Sequence, residues 1–480
     1  MAKPGLFNTY DPGPAFCEVL GRSSESEVRR LFLNRLAGKT RSTLARRKAR
    51  AEEEMYNLGI TFTVYFGEET VDRILPFDVI PRPITAADWQ VLETGVTQRI
   101  AALNAFLHDI YHDQKILADA VIPSDLVLKN KYFRPEMMGV NPPGGVYTHI
   151  CGTDMIRDQN GDFLVLEDNC RAPSGVSYVI ENRHLMMRSF PDLMENARVR
   201  PVSDYGLRLR EKLADCAPEG VSDPCIVLMT PGVFNSAYFE HVFLAREMGV
   251  PLVEGRDLFV DRNDEVFMNT VSGPAPVHVI YRRIDDAFLD PEVFREDSML
   301  GCPGLMRAMK AGKVAIANAP GTGVADDKAV YAYMPEIVRY YLSEEPILNN
   351  VDTYVCRRPE DRAYVLDHLD VLVTKPVGES GGYGITVGPR ATRAEREAAG
   401  KAIAKDPSNY IAQPMITLSV CPTLTSEGVA PRHVDLRPFA VTGKGTFVLP
   451  GGLTRVAMKK GSLIVNSSQG GGSKDTWVLS

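Results

Sequence analysis

Two stretches of the sequence carry residue types that could hold an anion and its counter-cation. The first is CGTDMIRDQNGDFLVLEDN, residues 151–169. Asn160-Gly161 is a strong short signal for a β-hairpin and predicts a two-residue type I′ turn. That register sets Asp154 directly across from Glu167, with Cβ atoms about 4.5–5.5 Å apart. Asn169 points the same way as Glu167, because strand side chains alternate. Opposed carboxylates repel, and a divalent cation between them reverses the sign. Asp154, Glu167 and Asn169 offer only hard oxygens, which suit Mg²⁺ or Mn²⁺ rather than zinc. The competing possibility is plain ion pairing of Asp154 and Glu167 to Arg157, Arg171 or Arg183.

The second stretch is LVTKPVGESGGYGITV, residues 372–387. A strand delivers Lys375, a point charge suited to phosphate. Gly378, Gly381, Gly382 and Gly384, with Glu379 and Ser380 among them, let backbone N–H groups approach an anion closely. Three known loops compete for this kind of pattern. The only GKT, Gly38–Thr40, has Leu33 where a Walker A loop needs glycine. Gly321-Thr322-Gly323 is followed by Asp326, so a strict GxGxxG is absent. Gly378-Glu379-Ser380-Gly381-Gly382 matches GxSxG, but a nucleophile elbow leads into a helix, and YGITVGP reads as a second strand. A serine hydrolase using Ser380 and His433 therefore stays open as the alternative, beside a flexible glycine hairpin with a solvated lysine.

The elements that would position these residues follow from periodicity. Thr85-x-x-Asp88 reads as a capping box, and Trp89, Leu92, Val96, Ile100, Leu103, Phe106, Leu107 and Ile110 trace one face of a helix over 85–111. Between about 200 and 320, CIVLMTPG, VPLVEG, HVIYRRI and VAIANAPG read as strands, with NSAYFEHVFLAREMG and GLMRAMKAG as helices. That alternation predicts βαβ units and a parallel sheet. Arg282, Arg283, Asp285 and Asp286 would then lie at a strand's carboxyl end, where ligands of such sheets bind, or form inter-domain salt bridges. Residues 326–343 suggest a helix kinked at Pro335. Charged residues 24–57 read as solvated helices, and from 409 onward the chain looks β-rich.

The chain has 480 residues, 44% hydrophobic and 24% charged, with a net charge of −7. It is long enough for about two to four domains. The acidic balance argues against bulk nucleic-acid or anionic-membrane partners. Eight cysteines are scattered without CxxC, which argues against zinc knuckles and a disulfide framework. No signal-peptide pattern opens the chain and no apolar run is long enough to span a membrane, so a cytoplasmic setting is expected. No coiled-coil heptad bears on oligomeric state.

Together the two stretches resemble the ATP-grasp ligases. Strand-Lys-Pro with a glycine loop is similar to their mobile phosphate-gripping hairpin, and Asp…Glu-x-Asn before a Pro-Ser-Gly turn is similar to their metal-binding strand pair. Ordinary members place the lysine loop first. Here the order is reversed, which resembles the circularly permuted ATP-grasp group, relatives of the glutathionylspermidine synthase fold. TPGVFNSAYFEH, YRRIDDAFLDP, GVADDKAVYAY, PGGLTRVA and SKDTWVL also fit that group. The resemblance runs from about 60 to 480 and implies an α/β fold with an α+β ATP-grasp part. Its segments would be a helical extension (1–60), a lobe with the metal strands (61–200), a Rossmann-like pre-ATP-grasp domain (201–323) and a lobe with the phosphate lysines and glycine loop (324–480).

The resemblance also implies roles. Lys328 and Lys375 would contact the phosphates of ATP, with residues 378–384 closing over them. Gln413, Pro414, Met415 and Ile416 would cradle adenine. Asp154, Glu167 and Asn169 would hold two Mg²⁺ ions, with Mn²⁺ as a substitute. Arg455 and Arg437 would neutralise phosphate or an oxyanion, or be ordinary salt bridges. Lys474 would reach the site or cap structure. Arg171, Ser174, Arg183, Arg283 and Asp285 would face substrate. The implied reaction joins a small-molecule or peptide carboxylate to an amine through an acyl phosphate, forming ADP. A catalytically silent Mg-ATP-binding protein is the remaining alternative.

Overall fold

The structure, a computed structural model, describes the chain apart from residues 1–4, 8–9, 22–34, 37, 67–68, 196, 378–383, 463–464 and 466–469. Its largest sheet has ten strands and takes them from both ends of the sequence. The order is Asn349–Asn350, Phe163–Asn169, Ile150–Arg157, Gly428–Arg437, Leu453–Val456, Gly472–Val478 and Phe77–Ile84, with three further strands paired at its side. The acidic hairpin therefore lies inside a sheet completed by residues far along the chain. Antiparallel pairing of Gly428–Arg437 and Leu453–Val456 sets Asp435 opposite Arg455, and Leu436 meets Met155 of the hairpin.

The helix Ala86–Ile110 forms where the spacing predicts it, and all eight apolar positions of its stripe are buried. Thr85 accepts from the Asp88 N–H at 3.0 Å, while the Asp88 carboxylate accepts from Arg157 at 3.0 Å. A second unit is the parallel sheet Ala315–Ala317, Val279–Arg282, Ile226–Met229, Leu252–Val253, with helices Tyr238–Met248 and Leu305–Lys310 between its strands. This is the arrangement the alternating pattern called for. A three-stranded antiparallel sheet over 258–277, which the sequence reading did not foresee, interrupts it. The lysine strand Leu372–Pro376 pairs with Thr386–Val387 across the glycine loop and with Tyr410–Pro414 on its other side.

Two local expectations are corrected, and a third, for the charged N-terminal stretch, is met where the chain is described. Residues 326–343 are two helices, Lys328–Tyr331 and Met334–Leu342, not one kinked helix. Pro335 falls in the first turn of the second, where its missing N–H breaks no bond. The charged stretch 24–57 yields the helix Arg41–Asn57, capped by Thr40, and its part at 24–34 lies outside the described residues. The Asn160-Gly161 turn is a three-residue loop, not a two-residue one. Asp158 N–H donates to the Asp162 carbonyl at 2.9 Å, and Gly161 takes φ 81°. The Asp158 carboxylate accepts from Asp162 N–H at 2.8 Å and Asn160 Nδ2 at 3.0 Å, which holds the wider loop. Pairing next to it, Arg157 with Phe163 and Met155 with Val165, is one residue off the expected register. A bulge at Leu166 restores the lost residue, so Asp154 does oppose Glu167 and Gly152 opposes Asn169.

Among the described residues no helix is long and apolar enough to cross a membrane.

Candidate active site

Asp154 and Glu167 face each other but live in different electrostatic surroundings. Asp154 is 3% exposed. Both its oxygens accept from Arg437, and Oδ2 also accepts from Arg455 Nη2 at 2.7 Å. Arg455 in turn holds Asp435 at 2.6 Å, which makes a quartet of two carboxylates and two guanidiniums. Burial pushes the Asp154 carboxyl up, but Arg437 and then Arg455 overrule it and hold it well below the usual range. Arg437 also donates to the Ser174 carbonyl at 3.2 Å, tying the quartet to the turn after the hairpin.

Glu167, by contrast, keeps 30% of its side chain exposed and has Lys328 Nζ at 3.6 Å. Asn169 Nδ2 donates to the Gly152 carbonyl at 3.0 Å, and its amide oxygen is an acceptor. Asp168, between them, points to the opposite face and is buried on Arg99 at 2.6 Å and Thr153 at 3.1 Å.

Lys375 arrives from the other sheet. Its ammonium donates to Gln413 Oε1 at 2.5 Å, and Gln413 Nε2 donates to Thr353 Oγ1 at 2.9 Å. Loss of water pulls the Lys375 pKa down to about 8, with Glu167 opposing that fall and Lys328 adding to it. Glu167, Lys328 and Lys375 thus share one electrostatic neighbourhood, although they lie far apart in sequence. Gly378, Glu379, Ser380, Gly381 and Gly382 lie outside the described residues. Gly384 has φ 70°, and a Cβ there would meet Pro376 Cγ at 2.7 Å, so the end of the loop demands glycine. Beside Thr353 and Ile416 opens a cavity of about 400 Å³, walled also by Leu164, Ala332, Pro335 and Val351. Pro414 pairs with Leu372, and Met415 is 41% exposed.

Several residues named from the sequence are placed elsewhere. Arg157 is spent on Glu18 and Asp88. Arg183 donates to Asp475 and to the carbonyls of Arg200 and Thr476, and is 4% exposed, so it is not free to grip a substrate. Lys474 is sealed in the sheet with its three protons on Asp78, the Ile80 carbonyl and the Pro422 carbonyl. Arg283 is buried on Glu240 and the Pro173 carbonyl. Glu240 also accepts from Gly175 and Ser177, so this cluster fixes the Pro-Ser-Gly turn rather than opening onto solvent. Arg171 and Asp285 do come together, at 3.4 Å, with Asp326 on Arg171 at 2.6 Å.

Asn318 went unnoticed in the sequence. Its amide accepts from His149 and Ile150 N–H groups and donates to the carbonyls of Ile150 and Cys170, all within 2.7 Å. It clamps both strands of the acidic hairpin to the end of the parallel sheet. Asp435 was missed as well, since nothing local in DLRPF announces its partners.

The donor set fits a hard divalent cation at Glu167 and Asn169, whose oxygens alternate to one face. Asp154 fits less well as a direct ligand, because both its oxygens already accept from guanidiniums. Among the described residues no three His, Cys, Asp or Glu side chains gather to hold a metal by themselves. That composition suits Mg²⁺, which keeps waters and binds through few carboxylates plus substrate phosphates.

An acidic hairpin and a lysine strand brought together beside a parallel α/β sheet define a protein of the ATP-grasp class. The chain belongs to the circularly permuted ATP-grasp type 2 family, whose model matches residues 81–457, and so falls broadly among ATP-dependent ligases. It is 52% identical to an uncharacterized protein of Synechocystis over 98% of both chains. It is also 52% identical to an uncharacterized protein of Mycobacterium tuberculosis, over 99% of this chain and 86% of that one. A Frankia casuarinae protein provisionally named a glutamate–cysteine ligase is 41% identical over 99% of this chain, which spans 55% of that longer protein. Among solved structures, a glutathione synthetase-like effector of Globodera pallida in its apo form superposes with a TM-score of 0.59 over 92% of this chain and 98% of that one. At 12% identity the likeness concerns the fold.

Proposed function

We propose that this protein is an ADP-forming carboxylate–amine ligase acting through an acyl phosphate, with a peptide or amino-acid type of substrate. One observation carries the reading: the half-buried Glu167 carboxylate has Lys328 at 3.6 Å, and both lie close enough to the desolvated Lys375 to act on its charge. The provisional name of the Frankia relative agrees with it. The proposed lobes are 61–200 and 324–480, with 201–323 on the substrate side and 1–60 as an extension.

In the proposed reaction a substrate carboxylate oxygen attacks the γ-phosphorus, the bond to the β-phosphate oxygen breaks, and ADP leaves. The amine nitrogen then attacks the acyl carbon, phosphate leaves, and the ammonium proton passes to solvent. Lys328 and Lys375 orient and neutralise the phosphates, with residues 378–384 over them. Gln413 to Ile416 and the neighbouring cavity take the adenine. Glu167 and Asn169 would hold Mg²⁺, with Asp154 behind them, and the ion would neutralise phosphate charge when bound. Arg437 and Arg455 hold Asp154 charged, and Asp154 and Asp435 answer the two guanidinium charges at the hairpin. Arg171, Ser174 and Asp285 sit on the substrate side. No residue of the chain forms a covalent bond.

The serine hydrolase is the weaker reading. His433 Nδ1 donates to the Leu418 carbonyl at 2.9 Å rather than to an orienting carboxylate, and Ser380 lies outside the described residues. The test is a screen of carboxylate and amine pairs for ADP release, with Lys375→Ala in parallel. Loss of one such charged group costs about 2.7–4 kcal/mol in the transition state, so turnover should fall roughly a hundredfold or more. Near-normal ADP release by Lys375→Ala would remove the lysine from the mechanism. Glu167→Gln should weaken Mg-ATP binding in a calorimetric titration; unchanged binding would discard the metal assignment.

A further inference from the structure

A second charged cluster lies beside Lys328, around Arg171. The loop 129–134 follows the helix Ser124–Leu128 and is pinned beside the phosphate lysine. Asn130 Nδ2 donates to Asp327 Oδ2 at 2.8 Å, and Asn130 Oδ1 accepts from Tyr132 N–H at 2.9 Å. Asp327 caps the short helix that begins with Lys328. The ring of Tyr132 carries the Arg171 guanidinium at 4.1 Å and the Lys131 ammonium at 4.9 Å. Gly323 makes room for this stack, since a Cβ there would meet Tyr132 and Arg171 carbons at 2.8 Å.

Arg171 is the hub of the cluster. Its Nε donates to Asp326 at 2.6 Å and its Nη1 reaches Asp285 at 3.4 Å, while Nη2 donates to nothing among the described residues. The Asp285 contact is long for a charged hydrogen bond and exchanges at little cost. Asp285 keeps 40% of its side chain exposed and Arg171 27%. Arg171 leaves the strand that carries Glu167, and Asp326 accepts from Cys170 N–H at that strand's end. The cluster is therefore built onto the proposed metal hairpin.

We propose that Arg171, stacked on Tyr132, held by Asp326 and flanked by the exposed Asp285, recognises an α-amino-acid head group, its carboxylate on Arg171 and its ammonium on Asp285. This rests on the ligase reading and names its substrate class. The charge pattern selects among small ligands. A dianion would face Asp285 and Asp326, and a diamine would face Arg171 and Lys131. A zwitterion complements both signs at once. The stack on Tyr132 fixes the plane of the guanidinium, which leaves its fork edge for a bidentate carboxylate.

The experiment is a calorimetric titration of the full chain with the twenty free amino acids, each beside its N-acetyl and carboxamide derivatives. At least one free amino acid should bind, and blocking either its amine or its carboxylate should weaken it tenfold or more. Arg171→Lys, which keeps the charge and loses the fork, and Asp285→Asn should each lose the same ligand by tenfold or more. Absence of binding by every free amino acid, or equal binding of the blocked forms, overturns the proposal. Mg-ATP titrated into the unsubstituted protein separates the two readings. Nucleotide binding without amino-acid binding overturns the head-group site alone, and loss of both overturns the ligase reading as well.

Discussion

Lys375 and Lys474 are both strand lysines in motifs that resemble the same family, yet their surroundings differ. Lys474 sits in Gly472–Val478, a strand whose every residue is buried, with an aspartate and two carbonyls taking its protons. Its charge is fully answered within the protein. Among the described residues Lys375 has one side-chain hydrogen-bond acceptor, the attraction of Glu167 set against the repulsion of Lys328, and a pKa near 8. Its charge is incompletely answered, and a phosphate would complete it. The same contrast separates Arg183, with a partner on each of its three nitrogens, from Arg171, whose Nη2 donates to nothing among the described residues. Saturated charge builds the sheet, and unsaturated charge is what the proposed site offers a ligand.

The largest expected effect tests the saturated side. Lys474→Met strands Asp78 as a buried carboxylate, and breaking such a pair costs about 3–5 kcal/mol. Urea unfolding should show a midpoint far below that of the parent. Lys474→Met with Asp78→Asn should recover most of the loss, because no lone charge is left. Lys375→Met should leave the midpoint unmoved or slightly raised, since it removes a poorly solvated cation. Equal destabilisation by Lys474→Met and Lys375→Met would erase the distinction between the two lysines.

That distinction also explains what could be read in the sequence. The helix 86–110, the parallel sheet and the two chemical stretches depend on local spacing, and local spacing is what a sequence displays. Asp154 opposite Glu167 was reached through a turn that does not form, and Leu166 supplied the missing residue. The opposed pair is real, but its partners, Arg437 and Arg455, come from strands closed much later in the chain. No pattern near Asp154 names them. Lys474, Arg183 and Arg283 looked like site residues for the same reason: a charged side chain in a motif shows its type, whereas its satisfaction is settled by tertiary partners. Asn318 clamps the hairpin with backbone bonds, which leave no trace in side-chain periodicity.

A middle-sized effect follows from the depressed Lys375 pKa. The free protein holds this lysine protonated below about pH 8 and loses the proton as pH rises through that value. Phosphate favours the protonated form, so Mg-ATP affinity should decline above about pH 8. Binding near that pH should take up protons, seen as a buffer-dependent enthalpy in calorimetry. Stability carries the opposite sign. The unfolded lysine titrates at an ordinary, higher pKa, so between the two values the unfolded chain binds more protons and the folded state gains with rising pH. Lys375→Arg should flatten the affinity profile, because arginine stays charged throughout. An unchanged pH profile in Lys375→Arg would show that another group sets it.

The smallest effect separates the far end of the acidic hairpin from its working end. Gly161 holds φ 81° in the three-residue loop, a conformation that costs a residue with a Cβ roughly 1–2 kcal/mol. Gly161→Ala should lower stability by about that amount. It should leave Mg-ATP binding intact, because the Leu166 bulge lies between the loop and the Asp154–Glu167 pair and absorbs small changes of register. Inserting one alanine between Leu166 and Glu167 is the sharper companion. Asp154 would then meet the inserted residue, and a shift of one turns the side chain at every following position to the other face. Glu167 would point where Asp168 points now, toward Arg99, and Mg-ATP binding should be lost. Weakened Mg-ATP binding in Gly161→Ala to the same degree as in the insertion would mean that the loop, and not the bulge, sets where Glu167 faces.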